Sequence, residues 1–184
     1  MKFKKTNLKD NFLIDLDLIE DERGFFARYF CETKFSQQGL NTHWVQINNS
    51  ASKRAGTLRG LHYQREPNAE IKLVRCLKGA IWDVVVDLRD NSETFGKWFG
   101  TKLSDKNRTM MYVPKGFAHG YVSLESDTEI LYLVSDFYVP DTEGILIWND
   151  LKVGICWPTT PQVISDKDAK GDTLDKIIPI TLKN

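Results

Sequence analysis

Over most of this chain the apolar residues recur every second position rather than every third or fourth. β-branched and aromatic residues fill these runs, the composition of a pleated, half-buried surface. Runs of this kind predict strands over 12–19, 25–30, 43–48, 71–77, 80–88, 98–103, 110–113, 120–124 and 129–137. Turn signals separate them, among them Asp21-Glu22-Arg23-Gly24, Lys78-Gly79, Asp90-Asn91-Ser92 and Pro114-Lys115-Gly116. Only 32–38 and 166–174 read as helical, and both are short. Many short strands with few helices predict an all-β antiparallel sandwich or barrel. The jelly roll is its natural form, because its two sheets enclose a pocket. No repeat, low-complexity tract or linker divides the 184 residues, so 1–184 are expected to form one domain with a sizeable core.

Alternation also assigns faces. On 129–137, Tyr132 falls with Ile130 and Val134 and should point where apolar side chains point. On 71–77, Lys72 shares a face with Val74 and Cys76. An inward lysine is costly unless it is paired or meets a charged ligand.

Twenty-five basic residues balance twenty-five acidic ones, so no global field points to nucleic acid or to an anionic membrane. The apolar stretches are too short to span a bilayer, and the basic start, Met1-Lys2-Phe3-Lys4-Lys5-Thr6, has no apolar run behind it as a signal peptide would. Cys31, Cys76 and Cys156 are odd in number, widely spaced and free of any CxxC pairing. They are expected to be small buried apolar residues in a reducing, cytoplasmic setting.

Two fragments suggest one chemistry. Arg59-Gly60-Leu61-His62-Tyr63-Gln64 offers a histidine among glycine and arginine, and the run 130–138 offers Tyr132 and Tyr138. A histidine base and a tyrosine acid on opposite faces of a substrate could remove a proton from carbon and return it with inverted geometry, without metal or organic cofactor. Pro114-Lys115-Gly116-Phe117-Ala118-His119 has the form Pro-x-Gly-x-x-His, half of the metal-binding pattern of cupin barrels. The other half should bring two histidines one residue apart and a glutamate, but only His62 stands there, and His43 lies on a separate early strand. No metal is therefore expected. Nucleophile elbows, phosphate loops and dinucleotide fingerprints are absent. A phosphorylated ligand would depend on side chains such as Arg23 and Arg59.

Further runs complete an ordered set: Asp21-Glu22-Arg23-Gly24-Phe25-Phe26, Val45-Gln46-Ile47-Asn48, Lys72-Leu73-Val74-Arg75, Asp83-Val84-Val85-Val86-Asp87-Leu88-Arg89, Trp148-Asn149-Asp150 and Ile164-Ser165-Asp166-Lys167-Asp168-Ala169. Together with the His62, His119 and Tyr132 motifs, and collinear from about residue 7 to 170, they resemble dTDP-4-dehydrorhamnose 3,5-epimerases. The resemblance implies a cupin-type jelly-roll barrel with a few short helices, no cofactor, and a homodimer that exchanges its N-terminal strands. It implies His62 as general base, Tyr132 as general acid, Asp168 as the carboxylate pairing with the histidine, and Lys72 as the cation near the substrate ketone. Arg23, Gln46, Asn48, Arg59, His119, Glu143 and Lys167 match positions that bind the nucleotide sugar, and Tyr138 the ring that stacks on the base, with Arg23 and its neighbours serving the partner subunit's site. Phe25-Phe26-Ala27-Arg28 departs from the family pattern: Arg28 stands where a carboxylate is common near the base pocket, which would put a donor in place of an acceptor beside Phe26. Ile47 departs too, from a common Val-Gln-Asp-Asn.

The expected function is thus epimerisation at C3 and C5 of a nucleotide-diphospho-4-keto-6-deoxyhexose. Inversion at one centre only, on a dTDP-, CDP- or GDP-linked sugar, needs the same residues and stays open. So do a sugar-binding cupin without activity, against which the intact set His62, Tyr132, Lys72 and Asp168 speaks, and a metal-dependent cupin, against which the missing histidine pair speaks.

Overall fold

The structure, a computed structural model, describes residues 1–183. It is built of strands β1 (Lys2–Lys5), β2 (Phe12–Asp15), β3 (Leu18–Asp21), β4 (Gly24–Ala27), β5 (Gln46–Ser52), β6 (Leu58–Gln64), β7 (Lys72–Lys78), β8 (Ala80–Asp87), β9 (Trp98–Ser104), β10 (Met110–Val113), β11 (Phe117–Ser123), β12 (Thr128–Val134) and β13 (Glu143–Ile145). Two short helices, α1 (Glu32–Ser36) and α2 (Asp166–Ala169), complete it with two single 3-10 turns. One sheet runs β1-β2-β10-β7-β12-β5 and the other β13-β6-β11-β8-β9, and all their ladders are antiparallel. This is the expected all-β jelly roll of cupin type.

Alternation divides the core into three layers. Val74, Cys76, Met111, Val113 and Ile130 of the first sheet meet Ile81, Val85, Leu103, Phe117 and Tyr121 of the second in the space between them. The opposite faces are covered in turn. Phe35, Leu40, Tyr29, Phe30 and Trp44 close over Phe12, Ile14, Leu73, Met110 and Tyr112 of the six-stranded sheet. Trp148, Val153, Trp157, Ile177 and Ile180 close over Leu61, Tyr63, Val84, Val86 and Ala118 of the other. Burying each large apolar side chain contributes roughly 1.5–3 kcal/mol before chain entropy is set against it.

Several expected elements differ. The run 12–19 is two strands, because Leu16 and Asp17 leave the first ladder and the chain resumes as β3 in a separate hairpin with β4. That hairpin pairs with neither large sheet. The runs 25–30 and 129–137 end early, at Ala27 and Val134, and 43–48 is displaced to Gln46–Ser52. β1 carries three lysines in four residues, and β6 is interrupted by Gly60 and polar residues, so neither shows a clean alternation. The helix expected over 166–174 stops at Ala169, and that over 32–38 at Ser36. Of the cysteines only Cys76 is buried; Cys31 is half-buried and Cys156 exposed, and all three are free. Among the described residues no helix is long and apolar enough to cross a membrane.

Candidate active site

Apolar side chains fill part of the space between the two sheets. Between side chains of both sheets a cavity of about 440 Å³ opens, lined by Arg59 and His62 of β6, His119 and Tyr121 of β11, Lys72 of β7, Ile130 and Tyr132 of β12, and the segment that carries Ser165, Lys167 and Asp168. A second lobe of about 350 Å³ shares His62, Lys72 and Tyr132 with it and adds Gln46, Asn48, Glu70, Tyr138 and Glu143. The three shared residues therefore stand where the lobes meet.

Register explains the convergence. On the six-stranded sheet Tyr132 lies beside Asn48 on one strand and Val74 on the other, and Val134 lies between Gln46 and Lys72. Gln46, Asn48, Lys72 and Tyr132 therefore share one inward face, as alternation predicts. Ile130 and Val134 beside Tyr132 are buried, and so are Lys72, Val74 and Cys76. On the five-stranded sheet His62 is the direct cross-strand partner of His119. Strict alternation would put residues 59 and 62 on opposite faces, yet both line the cavity. The ladder slips between His119 and Tyr121, and the backbone at Gly60 takes φ of 108°. Only glycine fits there: a Cβ on Gly60 would lie 2.6 Å from the His119 carbonyl oxygen and 2.7 Å from Gly120 Cα.

Two imidazole–carboxylate pairs result. His62 Nε2 lies 2.6 Å from Asp168 Oδ1. Asp168 is buried on α2, where its N–H donates to the Ser165 hydroxyl at the helix start. Burial alone would push its carboxyl up, but the hydrogen bond and charge of His62, with help from the Gly60 N–H, outweigh it and hold the group below the usual carboxylate range. His119 Nε2 lies 2.8 Å from Asp83 Oδ1, both residues buried, and the other Asp83 oxygen has no partner. Burial pushes the Tyr132 hydroxyl above the ordinary phenol value; Tyr121 and Glu70 add to this and Arg59 opposes it. Lys72 Nζ meets Glu70 Oε1 at 3.1 Å.

At the second lobe, Glu143 Oε2 accepts from Lys167 Nζ at 2.5 Å and from the Tyr138 hydroxyl at 3.1 Å, and the Glu143 carboxylate raises the Lys167 ammonium. The Tyr138 N–H donates to Gln46 Oε1, and Gln64 Oε1 accepts from the next N–H, so two buried or half-buried amides fix this strap. Tyr138 itself is exposed, as its place beyond β12 predicts. Arg59 is exposed at the rim and donates to the Ala51 carbonyl.

Arg23, Phe26 and Arg28 are not brought to this cavity within one chain. All three are exposed, on or just after the detached hairpin, where Arg23 pairs with Asp21. Ser50, Tyr121, Ser165 and Glu70 also line the lobes and Asp83 holds His119; the sequence singles out none of them for a role, although Asp83 and Ser165 fall within the family-like runs. Among the described residues no three His, Cys, Asp or Glu side chains converge as a metal-binding group.

The family model for dTDP-4-dehydrorhamnose 3,5-epimerase matches residues 5–176. The chain belongs to this family. It is 42% identical over 177 residues to the dTDP-4-dehydrorhamnose 3,5-epimerase of Salmonella typhimurium, covering 95% of this chain and 96% of that protein. Its fold superposes on the crystal structure of the family member from Elizabethkingia anophelis with a TM-score of 0.92, at 46% identity over 96% of this chain and 98% of that one. The dTDP-6-deoxy-D-glucose-3,5-epimerase of Legionella pneumophila, solved in complex with dTDP-4-keto-L-rhamnose, gives 0.93 at 36% identity over 100% and 99% of the two chains. An epimerase of this family is an isomerase.

Proposed function

We propose that this epimerase inverts C3 and C5 of a dTDP-linked 4-keto-6-deoxyhexose, with His62 as base and Tyr132 as acid. The observation that carries the assignment is the pairing of His62 with Asp168 on one wall of a cavity whose other wall presents Tyr132 and Lys72. The base comes from the five-stranded sheet and the acid from the six-stranded one, so a sugar ring between them meets each on a different face.

A proton on carbon beside a ketone is acidic only to the extent that the enolate oxygen is stabilised. The Lys72 ammonium lines the same cavity and supplies positive charge for that oxygen. Asp168 orients the His62 ring and favours the imidazolium that forms on proton abstraction. Tyr132, half-buried and with its hydroxyl held above the ordinary phenol value, stays protonated until it delivers its proton to the opposite face. A carbonyl at C4 activates both C3 and C5, so one pair of groups can serve both centres after the ring shifts. Gln46, Asn48, Tyr138 and Glu143 in the second lobe suit the nucleotide, with Arg59, His119 and Lys167 toward the sugar and its phosphates.

Incubating the protein with dTDP-4-keto-6-deoxyglucose and resolving the product by NMR tests the reading. Inversion at both carbons is expected. Inversion at one carbon would assign a single-centre epimerase, and faster turnover of a CDP- or GDP-linked sugar would overturn the nucleotide assignment.

We further infer that one domain spanning the chain works as half of a homodimer. Ile19 and Phe26 of the detached hairpin are 68% and 61% exposed, and Ile47 lies uncovered on edge strand β5. Nearby, burial pulls the Arg75 guanidinium down to about 10, and its Nε has no partner. A second copy would cover these groups and receive Arg23 at its own cavity. A monomer of full activity by light scattering at micromolar concentration would refute this. Three free cysteines suit a reducing, cytoplasmic location for the same enzyme.

A further inference from the structure

Glu70 carries no motif, yet it is the carboxylate that faces Lys72. The two residues are separated by one position where the chain enters β7, so an extended backbone points both side chains to the same side. Their side chains are 11% and 10% exposed and meet at 3.1 Å. Among the described residues Glu70 is the one carboxylate within ion-pair distance of this ammonium. A buried ammonium without such a partner is strongly disfavoured, and a four-carbon lysine stem left untied samples many rotamers.

The place of the pair separates it from an ordinary structural ion pair. Lys72 lines both lobes, whereas Glu70 lines only the second, so the carboxylate holds the ammonium from the side away from the sugar lobe. An ammonium has three donors, and one spent on Glu70 leaves two for a substrate oxygen. We propose that Glu70 is a positioning residue for the epimerisation, anchoring the Lys72 ammonium so that it points at the ketone oxygen and placing a negative charge close to the Tyr132 proton donor. This deepens the proposed function and rests on the roles given there to Lys72 and Tyr132.

The charge has a second effect with a definite sign. The charged and titratable groups that line the two lobes with Tyr132 are Arg59, His62 and Tyr63 from β6, His119 and Tyr121 from β11, Lys72 from β7, Lys167 and Asp168 from the α2 segment, and Glu70, Tyr138 and Glu143 from the second lobe. Glu70 is among those that raise the Tyr132 hydroxyl, after burial and Tyr121. Removing its charge should let Tyr132 ionise at lower pH, and an ionised tyrosine has no proton to give.

Glu70→Ala and Glu70→Gln, assayed with dTDP-4-keto-6-deoxyglucose across pH, test the proposal. Glu70→Ala is expected to lower kcat by roughly 10–100-fold, the scale of a misplaced catalytic group, with KM changed by less than about threefold. Glu70→Gln keeps an acceptor for Lys72 and should recover most of that loss at neutral pH. In both variants the alkaline limb of the rate profile should move to lower pH by at least about 0.3 unit. Wild-type kcat and an unmoved alkaline limb would overturn the proposal. So would equal losses in the two variants that follow melting temperature alone. If Glu70→Ala fails to fold, the alkaline limb of Glu70→Gln decides. Lys72→Ala and Tyr132→Phe in the same assay separate the two levels. Normal rates there would sink the underlying roles, whereas losses there with normal Glu70 variants would sink only this inference.

Discussion

Asp168→Asn removes one charge while keeping the shape of a buried side chain. In the folded protein that charge sits 2.6 Å from His62 Nε2. Two unit charges at such a distance attract by about 6 kcal/mol at an effective dielectric near 20 and by about 1.6 kcal/mol in water. The His62 side chain is 33% exposed and that of Asp168 6%, so the carboxylate's support for the imidazolium falls between these limits, near ~3 kcal/mol. Each 1.4 kcal/mol is about a factor of ten, which gives roughly 10²-fold in kcat from charge alone. The asparagine amide adds a second penalty. If its NH₂ faces Nε2, the ring must accept there and carry its proton on Nδ1, the wrong tautomer for abstraction; the combined loss is ~10²–10⁴-fold. KM should change little, because the loss arises when the imidazolium forms. The assay is initial-rate NMR on dTDP-4-keto-6-deoxyglucose at pH 7, with circular dichroism to confirm folding. A folded Asp168→Asn protein within threefold of the wild-type rate would refute the role assigned to this pair.

Tyr132→Phe removes one hydroxyl from the six-stranded wall and should keep substrate affinity and proton abstraction, while inversion falls by about 10²-fold or more; hydrogen exchange with retained configuration, read by NMR, is the expected signature, and inversion at the wild-type rate would name another donor. Acid stability should depend on Asp87. Burial would raise its carboxyl, but Arg89, Ser92 and Thr94 bind it at 2.8, 2.6 and 2.6 Å and hold it below the usual range. A depressed carboxyl contributes stability that is full above its unfolded value near ~3.9 and is lost as pH falls through the folded value. Asp87→Asn should therefore destabilise the protein by about 3–5 kcal/mol at pH 7 and flatten the fall in melting temperature below pH ~4; an unchanged acid slope would contradict this.

The sheet that carries Tyr132 and Lys72 was legible because it obeys alternation: one face is core, so period two places Tyr132 with Ile130 and Val134, and Lys72 with Val74 and Cys76. The opposite wall was not. β6 breaks its own pattern with Arg59, Gly60, His62 and Gln64, which serve a close backbone approach, the pair with Asp168 and a strap rather than strand propensity. His62 was recognisable from its motif, but its pairing with Asp168, 106 residues away and on a four-residue helix, was expected only from the family resemblance, because it depends on tertiary packing that no local pattern encodes. Asp83 lies hidden in an apolar strand and Glu70 in a loop, and each acquires meaning only from the cation or imidazole opposite it. Arg23 and Phe26 sit on a hairpin that pairs with neither large sheet, and Arg28 just after it, so within one chain nothing brings them to the cavity.

His62 is the group on which both inversions depend. In deuterated water, with dTDP-4-keto-6-deoxyglucose as substrate, the wild-type enzyme should place deuterium at both C3 and C5 as those centres invert. His62→Asn, folded and still binding the nucleotide, should show neither exchange nor inversion at either carbon. Deuterium entering C3 or C5 in that variant at a rate near wild type would contradict the mechanism.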